Sequence, residues 1–159
     1  MNNLTIKKII KLSLEEISFE EQYTLLCKKY NDFENSQNVK SSDVKNILVE
    51  MGFLMKSSAK ESLFYRDYQF KDFCLRFILS YKYGIIDCSD LYWNEDNSIR
   101  IYGGFSSYIE ELNSEVKNIL KYLSPISTND KDLKNIILKM ISIHISFLEI
   151  FSSKIEKYK

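Results

Sequence analysis

The chain has 159 residues, is 45% hydrophobic and 14% aromatic, and balances 22 basic against 22 acidic side chains. That length suits one domain, residues 1–159, with its own core, and the apolar content excludes a chain that solvates itself and stays disordered. Residues 85–116 hold one base, Arg100, against Asp87, Asp90, Glu95, Asp96, Glu110, Glu111 and Glu115, the opposite of the basic footprint that nucleic-acid binding requires.

The first third reads as helical. Ile6, Ile9, Ile10 and Leu12 support a short helix over residues 4–12. Ser18 with Glu21 forms a capping-box pattern, with Ile17 ahead of it as a hydrophobic staple. Phe19, Tyr23, Leu26, Cys27, Tyr30 and Phe33 then recur at helical spacing. After a polar loop over 35–42, Ser42 or Asp43 can cap a helix using Val44, Ile47, Leu48 and Met51, with Gly52 placed to end it.

The middle third changes period. Residues 62–68 are short and aromatic, as a strand would be. Phe73, Leu75, Phe77, Leu79 and Tyr81 alternate with Cys74, Arg76, Ile78 and Ser80, a period of two. The same stretch also satisfies a helix through Phe70, Phe73, Cys74, Phe77, Ile78 and Tyr81. Its aromatic and β-branched content, and the turn-like Lys82-Tyr83-Gly84, favour a strand. Strands over 85–93 and 99–102, joined by a polar turn at 94–98, complete an antiparallel meander of three or four strands. Beyond Gly103-Gly104, Ser107 with Glu110 repeats the capping-box pattern, and Ile109, Leu112, Val116, Ile119, Leu120 and Leu123 predict one helix ending at Ser124-Pro125. Asn129 or Asp130 starts a last helix carrying Leu133, Ile137, Met140, Ile141, His144, Leu148, Phe151 and Ile155. The expected class is α+β: N-terminal helices, a central antiparallel meander, and two C-terminal helices packed on the sheet.

No chemistry assembles along this chain. His144 is the only histidine and sits between Ile143 and Ile145 on an apolar helix face, so it reads as a core residue rather than a catalyst. Cys27, Cys74 and Cys88 are odd in number and show no CxxC spacing, which suits free thiols in a reducing compartment and supplies no zinc site. No metal or cofactor is expected. Asp87 and Asp90 have odd spacing and would face opposite sides of a strand, while Glu95 and Asp96 fall in a turn. Gly103-Gly104 lacks the GxGxxG or GK[ST] context of a phosphate loop. Lysines interrupt the N-terminal apolar residues, and Lys134, Lys139, His144 and Glu149 interrupt the C-terminal run, so neither a secretory signal nor a membrane span is expected. Cytoplasmic residence is the simple reading. The scarcity of Ala, Pro and Arg beside abundant Lys, Asn and Ile fits an AT-rich, bacterial genome.

The remaining signal is a set of acids interleaved with aromatics: Asp87, Asp90, Tyr92, Trp93, Glu95, Asp96 and Tyr102. Aromatic residues supply interface anchors, and acids beside them steer a basic partner. Since strand neighbours alternate, one of Tyr92 and Trp93 is expected to be exposed. A winged-helix regulator, with Lys40, Lys45, Lys56, Lys60 and Arg66 on phosphates, and a small enzyme with an unfamiliar carboxylate site are the alternatives.

Residues 77–112, FILSYKYGIIDCSDLYWNEDNSIRIYGGFSSYIEEL, resemble the cores of small bacterial immunity proteins that neutralise polymorphic toxins. These show a strand, a KYG-like turn, an acidic-aromatic strand and a GG-F-S entry to a helix. The resemblance implies a cytoplasmic inhibitor that catalyses nothing and occludes a cognate toxin, with a basic nuclease the best match to the acidic segment. Self-association is a further possibility that the resemblance leaves open.

Overall fold

The computed structural model describes residues 1–158. Three helices come first: α1 (Asn3–Glu16), α2 (Phe19–Lys29) and α3 (Ser41–Glu50). Five strands follow, β1 (Lys56–Ser58), β2 (Leu63–Gln69), β3 (Cys74–Ser80), β4 (Asp87–Trp93) and β5 (Arg100–Gly104). Helices α4 (Phe105–Leu112), α5 (Val116–Ile119) and α6 (Asp130–Lys157) close the chain. The strands form one antiparallel sheet in the order β1-β2-β3-β4-β5. The architecture is α+β, with the long C-terminal helix packed on the sheet.

The alternation along β3 decides which side of the sheet is covered. Leu75, Phe77 and Leu79 are buried, while Cys74, Arg76, Ile78 and Ser80 between them stay half-buried. An antiparallel sheet with one face packed and the other wet gives this pattern. The packed face meets α6, whose buried stripe runs through Leu133, Ile137, Met140, His144, Phe147, Phe151 and Ile155. His144 stacks on Phe77 with ring centroids 3.6 Å apart, and Phe151 meets Phe73 and Tyr92. By length and composition α6 could cross a membrane, yet its apolar stripe packs inside the fold, against the sheet and the N-terminal helices. Lys154 pairs with Glu16, Lys134 with Glu50, and Lys139 donates to Gln22, so these three lysines tie α6 to the N-terminal helices, not to the sheet's acids.

Helix boundaries differ from the sequence reading for local reasons. Only Ile17 and Ser18 separate α1 from α2. Ser18 makes that corner in the left-handed region, φ 54° and ψ 44°, and its side chain caps nothing. The Ser18–Glu21 capping box therefore does not form. Likewise α3 starts two or three residues early, with Lys40 at its N-cap: Ser42 and Asp43 lie in its first turn, and Asp43 faces the positive end of the helix dipole instead of capping it. Gly52, at φ +67°, does end α3.

The helix expected between Gly104 and Ser124 is two helices. Asn113 breaks it: its Oδ1 accepts from the Glu115 N–H and its Nδ2 donates to Glu20 Oε1, offering the chain a local alternative to helical bonding. Ser107 is the third helical residue, and its hydroxyl accepts from the Gly104 N–H at 2.8 Å. Strand β1 is polar and three residues long, too short to show a period. It is the fifth strand that periodicity alone missed. Asn129 caps α6 as expected, accepting from the Asp132 N–H at 2.9 Å.

Candidate binding surface

The uncovered face of the sheet follows from the register. One row across it runs Lys56–Tyr65–Ile78–Ser89, the next runs Asp67–Arg76–Leu91–Tyr102, and a third runs Cys74–Trp93–Arg100. Arg76 sits at the centre. Its guanidinium donates to both oxygens of Asp67, at 2.7 and 2.9 Å, a fork that only arginine can present. The same guanidinium lies 4.2 Å from the Tyr65 ring centroid and 5.4 Å from that of Trp93, within cation–π range. The pairing with Asp67 holds that carboxyl below the ordinary value and Arg76 above its own. A rigid arginine between two aromatic rings, flanked by Ile78, Leu91 and Tyr102, is therefore displayed to solvent.

The two edges of the sheet are blunted. On one side β1 is short and carries Lys56. On the other, the Arg100 N–H at the edge of β5 is taken by Asn3 Oδ1 at 3.2 Å. Both devices discourage strand addition, which leaves the face, not the edge, as the place where a partner could dock.

The expected acidic-aromatic set is divided by the sheet. Trp93 and Tyr102 do share the uncovered face, Trp93 half-buried and Tyr102 71% exposed. Glu95 and Asp96 stand exposed in the β4–β5 turn at one end of that face. The Ser98 backbone N–H donates to Asp96 Oδ1 at 2.9 Å and holds its carboxyl below the ordinary value. Asp87 is half-buried at the start of β4, where loss of solvent lifts its carboxyl to about 6. Asp90 and Tyr92, however, point the other way, into the core, at 1% and 0% exposure. They cannot touch a partner, so the acidic platform expected from the sequence does not exist as one surface.

Asp90 belongs to a buried polar cluster. Its Oδ2 accepts from the Tyr108 hydroxyl at 3.2 Å, while its Oδ1 and the Tyr92 hydroxyl have no partner. Burial lifts the Asp90 carboxyl to about 7 and raises the phenols of Tyr92 and Tyr108. Gly103 makes room for the arrangement: a β-carbon there would collide with the Tyr108 ring. Gly103 thus serves packing, whereas a β-carbon at Gly104 would meet only ordinary contacts.

The other candidate chemistry stays apart. His144 is buried, its Nε2 3.0 Å from the Tyr68 hydroxyl, and burial pushes its imidazole down to about 3. Its Nδ1 has no hydrogen-bond partner, so no carboxylate or thiol is bonded to the ring. Among the described residues no group of His, Cys, Asp or Glu could hold a metal ion, and Cys27, Cys74 and Cys88 are free. Arg66, a phosphate contact in the winged-helix alternative, instead lies over the rings of Phe53 and Tyr68.

Sequence reasoning missed Tyr65, Asp67 and Arg76. Alternation along β3 does put Arg76 opposite Phe77, but the grouping with Tyr65, Asp67 and Trp93 depends on strand register, which no single-strand pattern encodes. Comparison with protein-family models, with curated proteins and with solved structures finds no match.

Proposed function

We propose that this protein is an immunity-type binding protein that neutralises a cognate bacterial toxin by covering its active site, and that it acts in the cytoplasm without catalysing a reaction. The observation that carries this reading is the uncovered sheet face, with Arg76 held between Tyr65 and Trp93 and bordered by Tyr102. Trp, Tyr and Arg are the residue types that dominate interface energetics. Their rigid mutual packing here lowers the entropy lost on docking. Exposed Glu95 and Asp96 at the rim supply the charge that draws a basic partner such as a nuclease. The acidic component is thus confined to the rim, and the aromatic component forms the centre.

The test is growth rescue in cells that produce the product of the gene immediately upstream, which this reading expects to be a toxin, with tight binding measured on the purified pair. The parent protein rescues growth. Trp93→Ala and Arg76→Ala each weaken binding by about 2 kcal/mol or more, roughly 30-fold in Kd. Glu95→Lys with Asp96→Lys slows association and flattens its salt dependence. No rescue by the parent protein defeats the reading. Rescue that survives all of these substitutions defeats the surface.

A further inference from the structure

A concave surface of a different kind lies among the helices. It is a groove of about 480 Å³ between α2 on one side and the α4–α5 connection on the other. Its floor is apolar, from Leu14, Phe19 and Leu112. Two aliphatic side chains line it while facing water, Leu25 on α2 at 61% exposure and Ile119 on α5 at 47%. Large aliphatics this exposed on two facing walls form a ready apolar contact.

Its rim is acidic. Glu15, Glu20 and Glu21 line the groove against a single base, Lys28. Glu15 is 3.9 Å from Lys11, and Glu20 accepts from the Asn113 amide at 2.9 Å. That second bond links α2 to the α4–α5 connection, beside the direct packing of α2 on α4. The walls are therefore held by the fold while the aliphatics are left uncovered.

We propose that this groove takes a basic amphipathic helical segment of a partner protein, with its apolar side on Leu25 and Ile119 and its lysines or arginines against Glu15, Glu20 and Glu21. Helix-in-groove recognition needs an apolar floor and complementary rim charge, and both are present. The 11 residues of α2 span about 16 Å, enough for roughly three turns of such a segment. The same carboxylates repel nucleic acid and an anionic bilayer, and a second copy of this chain would bring its own acidic rim against this one. The proposal rests on the reading above only in taking a protein as the partner.

The probe is a fluorescein-labelled amphipathic Leu/Lys peptide about four turns long, titrated by fluorescence polarisation at physiological salt. A Leu/Glu peptide of the same pattern is the control. Saturable binding of the Leu/Lys peptide alone is expected. It should weaken about tenfold in the Leu25→Gln/Ile119→Gln variant and again in Glu15→Lys/Glu21→Lys, each such factor being ~1.4 kcal/mol. Leu54→Gln, at another exposed aliphatic, should leave it unchanged. All five substituted side chains lie at the surface or rim, and circular dichroism checks that the fold is kept. Equal binding of the two peptides, no saturable binding, or equal affinity in parent and groove variants overturns the proposal. Because this assay contains no toxin, a toxin neutralised while the groove stays empty removes the groove alone, and a filled groove without neutralisation removes the toxin reading alone.

Discussion

Replacing Asp90 by Asn keeps the shape of a buried side chain and removes its ability to ionise. In the folded chain the carboxyl is lifted by burial from 3.8 to about 7. Between those values the folded protein holds a proton that the unfolded chain has released, so stability falls as pH rises, by ~1.4 kcal/mol per pH unit. The loss is complete above about 7 and totals on the order of 4 kcal/mol. His144, pushed down to about 3, acts in the opposite sense below its ordinary value. Together with Asp87 it is common to both proteins and cancels in their difference. Urea unfolding followed by circular dichroism at mildly acid and mildly alkaline pH reads that difference. Asp90→Asn should match the parent near pH 4 and exceed it by a few kcal/mol near pH 8, a gain of about 3 kcal/mol between pH 5 and pH 8. A difference that does not change with pH would refute the claim that Asp90 is held neutral by burial.

Three further substitutions probe the fold around the surface. Gly103→Ala puts a β-carbon into the Tyr108 ring and should cost about 1–3 kcal/mol by overpacking, read as a lower urea midpoint. Phe151→Ala opens a cavity where α6 meets Phe73 and Tyr92 and should cost about 3–5 kcal/mol, read the same way. Asp67→Asn removes a pair that is more than one-third exposed on both sides. It should therefore change stability by less than about 1 kcal/mol, while freeing the Arg76 guanidinium and altering partner affinity far more than stability.

Much of the fold was legible because long elements carry their own period. Phe73 to Tyr81 alternate strictly, and the apolar residues of α6 recur every three or four positions, so strand and helix are written locally. Capping was less legible, since a Ser-x-x-Glu pattern at Ser18 forms no cap when the preceding helix ends only two residues earlier and Ser18 itself must turn the corner. The break at Asn113 likewise depends on Glu20, far away in sequence. For the surface, charge was a poor guide. Asp87 and Asp90 were separable as opposite faces of one strand, but nothing along that strand says which face the helices cover, and it is Asp90 that meets Tyr108 in the core. Strand register, which no single strand encodes, gathers Tyr65, Asp67, Arg76 and Trp93 from three strands.

Trp93 is the chain's single tryptophan and lies on the uncovered face, so 5-fluorotryptophan labelling gives one fluorine resonance at the centre of the proposed contact. Titration with the cognate toxin should shift or broaden that resonance in step with complex formation, because docking removes its water. A complex that forms at full affinity while the resonance stays where it was would place the contact elsewhere on the molecule.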